Sequence, residues 1–163
     1  MTYTMPAEWE PHERTWMAWP TAGYMDAGTG IEDAWRAWSQ VANAIVRFEP
    51  LTMVVDPRDA DTAPQWLDPA IDVVIIELDD AWMRDMGPTF VRDAAGTLHG
   101  IDWVFNGWGA QHWAKWDHDA QVAPVVLAAA GVPAAPSWLV NEGGGIHVNG
   151  RGTVLATRTV QFD

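Results

Sequence analysis

An acidic residue leading into a glycine bend and then a strand occurs twice in this chain, 57 residues apart. The first copy reads Asp85-Met86-Gly87-Pro88-Thr89-Phe90-Val91, followed by Gly96-Thr97-Leu98. The second reads Glu142-Gly143-Gly144-Gly145-Ile146-His147-Val148, followed by Gly152-Thr153-Val154. With one gap placed in the turn, carboxylate aligns with carboxylate, Phe90 with His147 and Gly-Thr with Gly-Thr. A repeat of this length means one supersecondary unit used more than once. Equivalent carboxylates in such copies point toward a common axis. Two convergent carboxylates suit a cation, and above all a planar guanidinium, which can donate parallel hydrogen bonds to each.

The segments between the copies give the unit its content. Thr89 to Arg92 and Thr97 to Val104 read as a hairpin across Asp93-Ala94-Ala95-Gly96. Asn106-Gly107-Trp108-Gly109 reads as a tight loop, and Asp117 to Ala130 as a helix stopped by Gly131, with Pro124 marking a start or a kink. Ser137 to Val140, Ile146 to Val148 and Thr153 to Thr157 read as strands. The order is therefore β-β-α-β, an α/β unit that makes a ring with a central funnel when repeated about an axis. The chain stops after its last strand, as an array cut between repeats would.

Upstream, apolar residues at 31, 34, 35, 38, 41, 42, 45 and 46 follow a helical period over Ile31 to Phe48. Trp16 to Trp19 and Leu51 to Val55 read as strands, Tyr24 to Gly30 as a loop, and Pro64 to Leu67 as a single helical turn. Val73 to Ile76 is a β-branched run of the kind that fills a buried strand. No linker composition interrupts 1–163, which reads as part of one domain without an internal boundary.

The formal net charge of -13 argues against nucleic acid or an anionic membrane as partner, and it is compatible with a cationic small molecule. There is no cysteine, so disulfides and thiolate-ligated metals are excluded. His12, His112, His118 and His147 form no metal-ligand spacing, and neither metal nor cofactor is implied. The first six residues lack the basic and apolar runs of a secretory signal, and no apolar stretch is long enough to span a bilayer, so a cytoplasmic protein is expected. Twelve tryptophans are unusual for 163 residues. Core burial is the plain expectation for most of them, and lining a pocket for a cation is the alternative.

Three positions carry the chemical argument. Asp85 can hold a guanidinium, aimed by the Gly87-Pro88 turn; the plainer reading is a local ion pair with Arg84. Glu142 opens a three-glycine loop whose backbone can approach a ligand closely; the plainer reading is a solvated turn. Trp82 lies three residues before Asp85, where its ring can cover a cation or an alkyl stem. His147 invites a role as a base, but it aligns with Phe90 and so reads as a packed strand residue.

Four blocks resemble the agmatine deiminases of the Porphyromonas-type peptidylarginine deiminase family. They are Met5-Pro6-Ala7-Glu8-Trp9-Glu10-Pro11-His12 running on to Trp19-Pro20, Asp79-Asp80-Ala81-Trp82-Met83-Arg84-Asp85 with Gly87-Pro88, Asp102-Trp103 with Phe105-Asn106 and Trp108-Gly109, and Glu142-Gly143-Gly144 with Ile146-His147-Val148. The resemblance implies the pentein fold, a five-bladed β/α propeller of ββαβ units, with about the first two to three blades present here. It implies hydrolysis of a guanidinium, as in agmatine to N-carbamoylputrescine and ammonia. Asp85 would bind the guanidinium nitrogens, Glu142 would partner the catalytic histidine and the substrate, and Trp82 would line the pocket. The nucleophilic cysteine and the His-x-Asp motif of that family have no counterpart in this chain. His147-Val148-Asn149 follows Glu-Gly-Gly directly and carries Asn where Asp is required.

The leading expectation is thus an N-terminal portion of a guanidinium hydrolase, inactive alone. A non-catalytic half-pentein that binds guanidino compounds, self-associates or pairs with another chain is the alternative, because a half ring exposes strand edges. A Trp-lined sugar-binding module is a third reading, which the paired acidic loops do not favour.

Overall fold

The helical period over Ile31 to Phe48 becomes a helix, and it ends three residues early. The computed structural model describes residues 2–21 and 30–161. The loop expected over Tyr24 to Gly30 lies outside the described residues except for Gly30. Along the chain the strands are β1 (Tyr3–Thr4), β2 (Thr15–Ala18), β3 (Leu51–Val55), β4 (Asp72–Ile75), β5 (Thr89–Asp93), β6 (Leu98–Val104), β7 (Ala134–Val140), β8 (Ile146–Val148) and β9 (Val154–Ala156). The two longer helices are α1 (Ile31–Ile45) and α2 (Val122–Ala130). The chain divides into two compact units, Pro11–Met83 and Met1–Glu10 with Arg84–Asp163.

In the unit Pro11–Met83, β2, β3 and β4 form a parallel sheet with β3 in the middle. Every residue of β3 is buried, as expected of a central parallel strand. Trp19, Ala42, Leu51, Met53, Val55, Ala63, Leu67 and Ile71 make the core, with Trp35, Trp38 and Trp66 packed on it. The indole of Trp35 stacks on Trp19 and donates its N–H to the carbonyl of Pro20 at 2.8 Å. The run Val73 to Ile76 departs from its reading as a buried strand: Val73 and Ile75 are 38% and 46% exposed. The physical reason is position. β4 is the last strand of its sheet, and composition alone does not distinguish an edge strand from a central one.

At the end of β3 the Asp56-Pro57-Arg58-Asp59 turn is a network. Asp56, 3% exposed, accepts two hydrogen bonds from its neighbour's guanidinium, Arg58 Nε at 2.7 Å and Nη2 at 3.0 Å, and a third from the Leu78 N–H at 2.9 Å. Burial works against ionisation of this carboxyl. The Arg58 side chain and the two backbone N–H groups more than offset it, holding the pKa at about 2.

In the other unit the sheet order is β1-β5-β6-β7. The β5 and β6 strands are the expected hairpin, and β7 joins β6 in parallel after the crossover through α2. This is the β-β-α-β unit. The expected helix over Asp117 to Ala130 is instead a 3-10 turn at Asp119–Gln121 followed by α2, which places Pro124 in the first turn, where a missing N–H costs little.

The hairpin β8–β9 opens the second copy, and it repeats the first at atomic detail. Asp93 Oδ1 accepts from the N–H groups of Ala95 and Thr97; Asn149 Oδ1 accepts from those of Arg151 and Thr153. Gly96 and Gly152 both take left-handed backbone conformations, with φ of 84° and 93°. Strand register then corrects the sequence alignment. Val91 pairs with His99 and His147 with Leu155, so His147 occupies the place of Val91, and Ile146 that of Phe90. The one-residue gap belongs between the acid and the strand, not in the turn. His147 is accordingly an exposed strand residue rather than a packed counterpart of Phe90.

The tryptophans are less buried than expected. Trp19 alone is fully enclosed, and Trp9, Trp82, Trp113 and Trp138 are exposed. A ring of that size is seldom covered on every side.

Candidate functional site

Asp85 sits in the helical turn Met83–Met86, just before β5, and Glu142 in the loop that enters β8. Both are half-buried. The Gly144 N–H donates to Asp85 Oδ1 at 3.1 Å, and the Trp108 indole N–H donates to Oδ2 at 3.3 Å. Arg84 does not pair with Asp85; it turns away to Glu8 at 2.7 Å. The local ion-pair reading of Arg84 and Asp85 is therefore replaced by an Asp85 carboxylate held by two neutral donors, with no cation paired to it among the described residues.

The glycine loop is shaped by close approach. A Cβ on Gly143 would stand 2.1 Å from the Arg84 carbonyl oxygen, and one on Gly144 would stand 2.2 Å from Asp85 Oδ1. Only glycine lets the two acidic loops meet in this way. Burial raises the pKa of Glu142, and the negative charge of Asp85 raises it further. The two carboxylates therefore feel each other, as the repeat implied. Such a pair, with one member pushed toward protonation by the other, lowers its own electrostatic cost by taking up a cation.

Trp108 is the residue for which the sequence reading gave no role. Gly107, Trp108, Gly109 and Ala110 have consecutive positive φ values of 64°, 59°, 91° and 54°, a left-handed turn. For Trp108 and Ala110 this costs about 1–2 kcal/mol each. Asn106 accepts the Gly109 N–H at 2.9 Å and helps hold the turn. Trp108 stacks on Trp113, with ring centroids 5.7 Å apart, and Phe105 meets it edge-on at 5.2 Å. Strain of this kind persists where surrounding contacts over-determine it, commonly at binding sites. The sequence signal was present in the glycines either side of Trp108, which mark a turn but not its hand.

Trp82 belongs to the other compact unit, where its ring meets Trp38 edge-on at 6.0 Å. His12 pairs with Glu49 at 3.3 Å. Among the described residues no group of three histidine or carboxylate side chains could hold a metal ion.

The sequence profile of the Porphyromonas-type peptidyl-arginine deiminases matches residues 4–163. The chain belongs to this family. Within it, a Streptomyces coelicolor protein, provisionally assigned as an agmatine deiminase, is 59% identical over 99% of this chain and 48% of its own length. The agmatine deiminase of Stutzerimonas stutzeri is 42% identical over 95% of this chain and 43% of its own. The solved structure of agmatine deiminase from Enterococcus faecalis superposes with a TM-score of 0.88 at 36% identity, covering 99% of this chain and 45% of that one. The chain thus spans about half the length of the deiminase-family relatives it matches, and it has the same fold as the corresponding part of that solved structure.

Proposed function

We propose that this chain supplies the guanidinium-binding carboxylates of an agmatine deiminase-type hydrolase. The observation that carries the reading is the approach of the two acidic loops across two copies of one repeat, with Asp85 fixed by Gly144 and Trp108 and its charge acting on Glu142. The names of the relatives support agmatine as the substrate, among cationic guanidino compounds. In this reading the ββαβ units of the chain are the first two to three blades of a pentein ring.

The chemistry follows from the electrophile. A guanidinium carbon is weakly electrophilic because its charge is delocalised over three nitrogens. Asp85 and Glu142 hold the nitrogens and fix the plane. A thiolate adds to the carbon, a histidine protonates the departing nitrogen as ammonia leaves, and a covalent thiouronium remains. Water adds to that carbon and the thiolate departs, leaving the ureido product. This chain has no cysteine, so the thiolate must come from outside these 163 residues. The isolated chain binds agmatine without turning it over.

Calorimetric titration with agmatine tests the assignment. Binding that weakens more than tenfold in Asp85→Asn supports it. Equal binding by Asp85→Asn, or ammonia release by the chain alone, sinks it. The coverage of half a relative also favours a second reading, a purely binding half-pentein. Restoration of agmatine turnover when the remaining half of a relative is joined to this chain decides for the enzyme.

A further inference from the structure

The block Met5-Pro6-Ala7-Glu8-Trp9-Glu10 lies far along the chain from the two acidic loops, yet it touches the residue beside Asp85. Its turn closes on itself: the Glu10 N–H donates to the Ala7 carbonyl at 3.1 Å, and the Ala7 N–H donates to Glu10 Oε1 at 3.4 Å. The same turn is seated on the second hairpin. A Cβ on Gly150, whose φ is 68°, would stand 2.9 Å from Glu10 Oε1 and 3.0 Å from the Ala7 nitrogen. Glu8 is therefore presented from a fixed turn, and its carboxylate accepts from Arg84 Nη2 at 2.7 Å.

Arg84 directly precedes Asp85, and its side chain ends in the same planar group as the proposed substrate. The glycine loop shows how near the two lie. The point where a Cβ would sit on Gly144 is 2.2 Å from Asp85 Oδ1 and 3.8 Å from Arg84 Cγ. Rotation beyond Cγ therefore decides whether this guanidinium goes to Glu8 or to Asp85. A guanidinium tethered so closely stands at an effective concentration on the order of millimolar beside the carboxylate. The Arg84 and Glu8 side chains are 56% and 37% exposed, and an ion pair that open to solvent contributes little to stability. What the pair fixes is the direction of the Arg84 side chain. We propose that Glu8 is a positioning residue that holds Arg84 away from Asp85, so that the chain's own guanidinium does not occupy the substrate's place. The proposal rests on the reading of Asp85 as the guanidinium-binding carboxylate. It gives the N-terminal block a part in the site without contact to the reacting atoms.

Glu8→Ala, Arg84→Met and the double variant test it. In calorimetric titration, agmatine is expected to bind Glu8→Ala about tenfold more weakly than the parent chain, as when the carboxylates are open about one-tenth of the time. Arg84→Met alone binds as the parent does, and adding it to Glu8→Ala restores the parent affinity. The Trp108 indole N–H, which donates to Asp85 Oδ2, gives a second readout that needs no ligand. Its NMR resonance moves in Glu8→Ala and returns in the double variant. An unmoved Trp108 resonance overturns the proposal, as does a Glu8→Ala chain that does not fold, since the pair would then be structural. Where the parent binds agmatine, unchanged affinity in Glu8→Ala, or a loss that Arg84→Met does not restore, overturns it too. A parent chain that does not bind agmatine, with the Trp108 resonance still moving and returning, overturns the guanidinium reading and leaves the capture of Asp85 by Arg84 standing.

Discussion

The Gly144 N–H and the Asp85 carboxylate meet at 3.1 Å across 59 residues of chain, the second acidic loop holding the first. Gly144→Ala puts a methyl group on the end of a side chain that can rotate, so stability changes by less than about 1 kcal/mol. Agmatine binding is the quantity that falls, by an expected tenfold or more. Gly143→Ala meets the Arg84 carbonyl, which cannot rotate away, and costs about 1–3 kcal/mol of stability. Urea denaturation and calorimetry on the two variants check the contrast. Equal stability losses would mean that the loop contact is not as described.

Trp108→Phe keeps an aromatic ring against Trp113 and removes the indole N–H donor to Asp85. The expected loss is about 1 kcal/mol in agmatine binding, roughly fivefold, with little change in melting temperature. Unchanged binding would show that the indole hydrogen bond does not orient the carboxylate.

The raised pKa of Glu142 predicts a pH-dependent gain on neutralising it. Below about pH 4 both folded and unfolded states carry the proton, and the group is neutral in the balance. As pH rises, the unfolded chain releases the proton first, so the favourable contribution of protonated Glu142 is lost through its folded pKa. Glu142→Gln therefore stabilises the protein at pH 7 and has no effect at pH 3.5. Denaturation midpoints at the two values test this, and a loss of stability at pH 7 would contradict it.

Asp56 has the opposite sign. Its pKa falls from 3.8 to about 2, so it contributes stability above the unfolded value, and that contribution is lost as pH drops through about 2. At neutral pH the difference amounts to about 2 kcal/mol. Asp56→Asn is expected to lose about that much at pH 7 and progressively less as the pH approaches 2. A pH-independent deficit would point to the lost geometry of the Arg58 pair rather than to charge.

Much of this architecture was written in local sequence. The period over Ile31 to Ile45, the all-apolar β3 and the Asp93 and Asn149 turns follow from side-chain spacing and turn chemistry, which act within a few residues. The convergence of Asp85 and Glu142 was legible because a repeat carries its own symmetry. Sequence also settled that no thiolate in these residues can attack a substrate. Tertiary structure decided the rest. A strand's side chains alternate faces, so a one-residue gap could be placed only once hairpin register was fixed, and that moved His147 from the place of Phe90 to that of Val91. The exposure of Val73 and Ile75 depends on β4 ending its sheet, which no property of the run itself encodes. The hand of the Trp108 turn, and the hydrogen bond it directs at Asp85, depend on contacts from Asn106, Phe105 and Trp113. Those three residues lie within five positions of Trp108, but Asp85 is 23 residues away, so the hydrogen bond that the turn directs at it exists only in the folded chain.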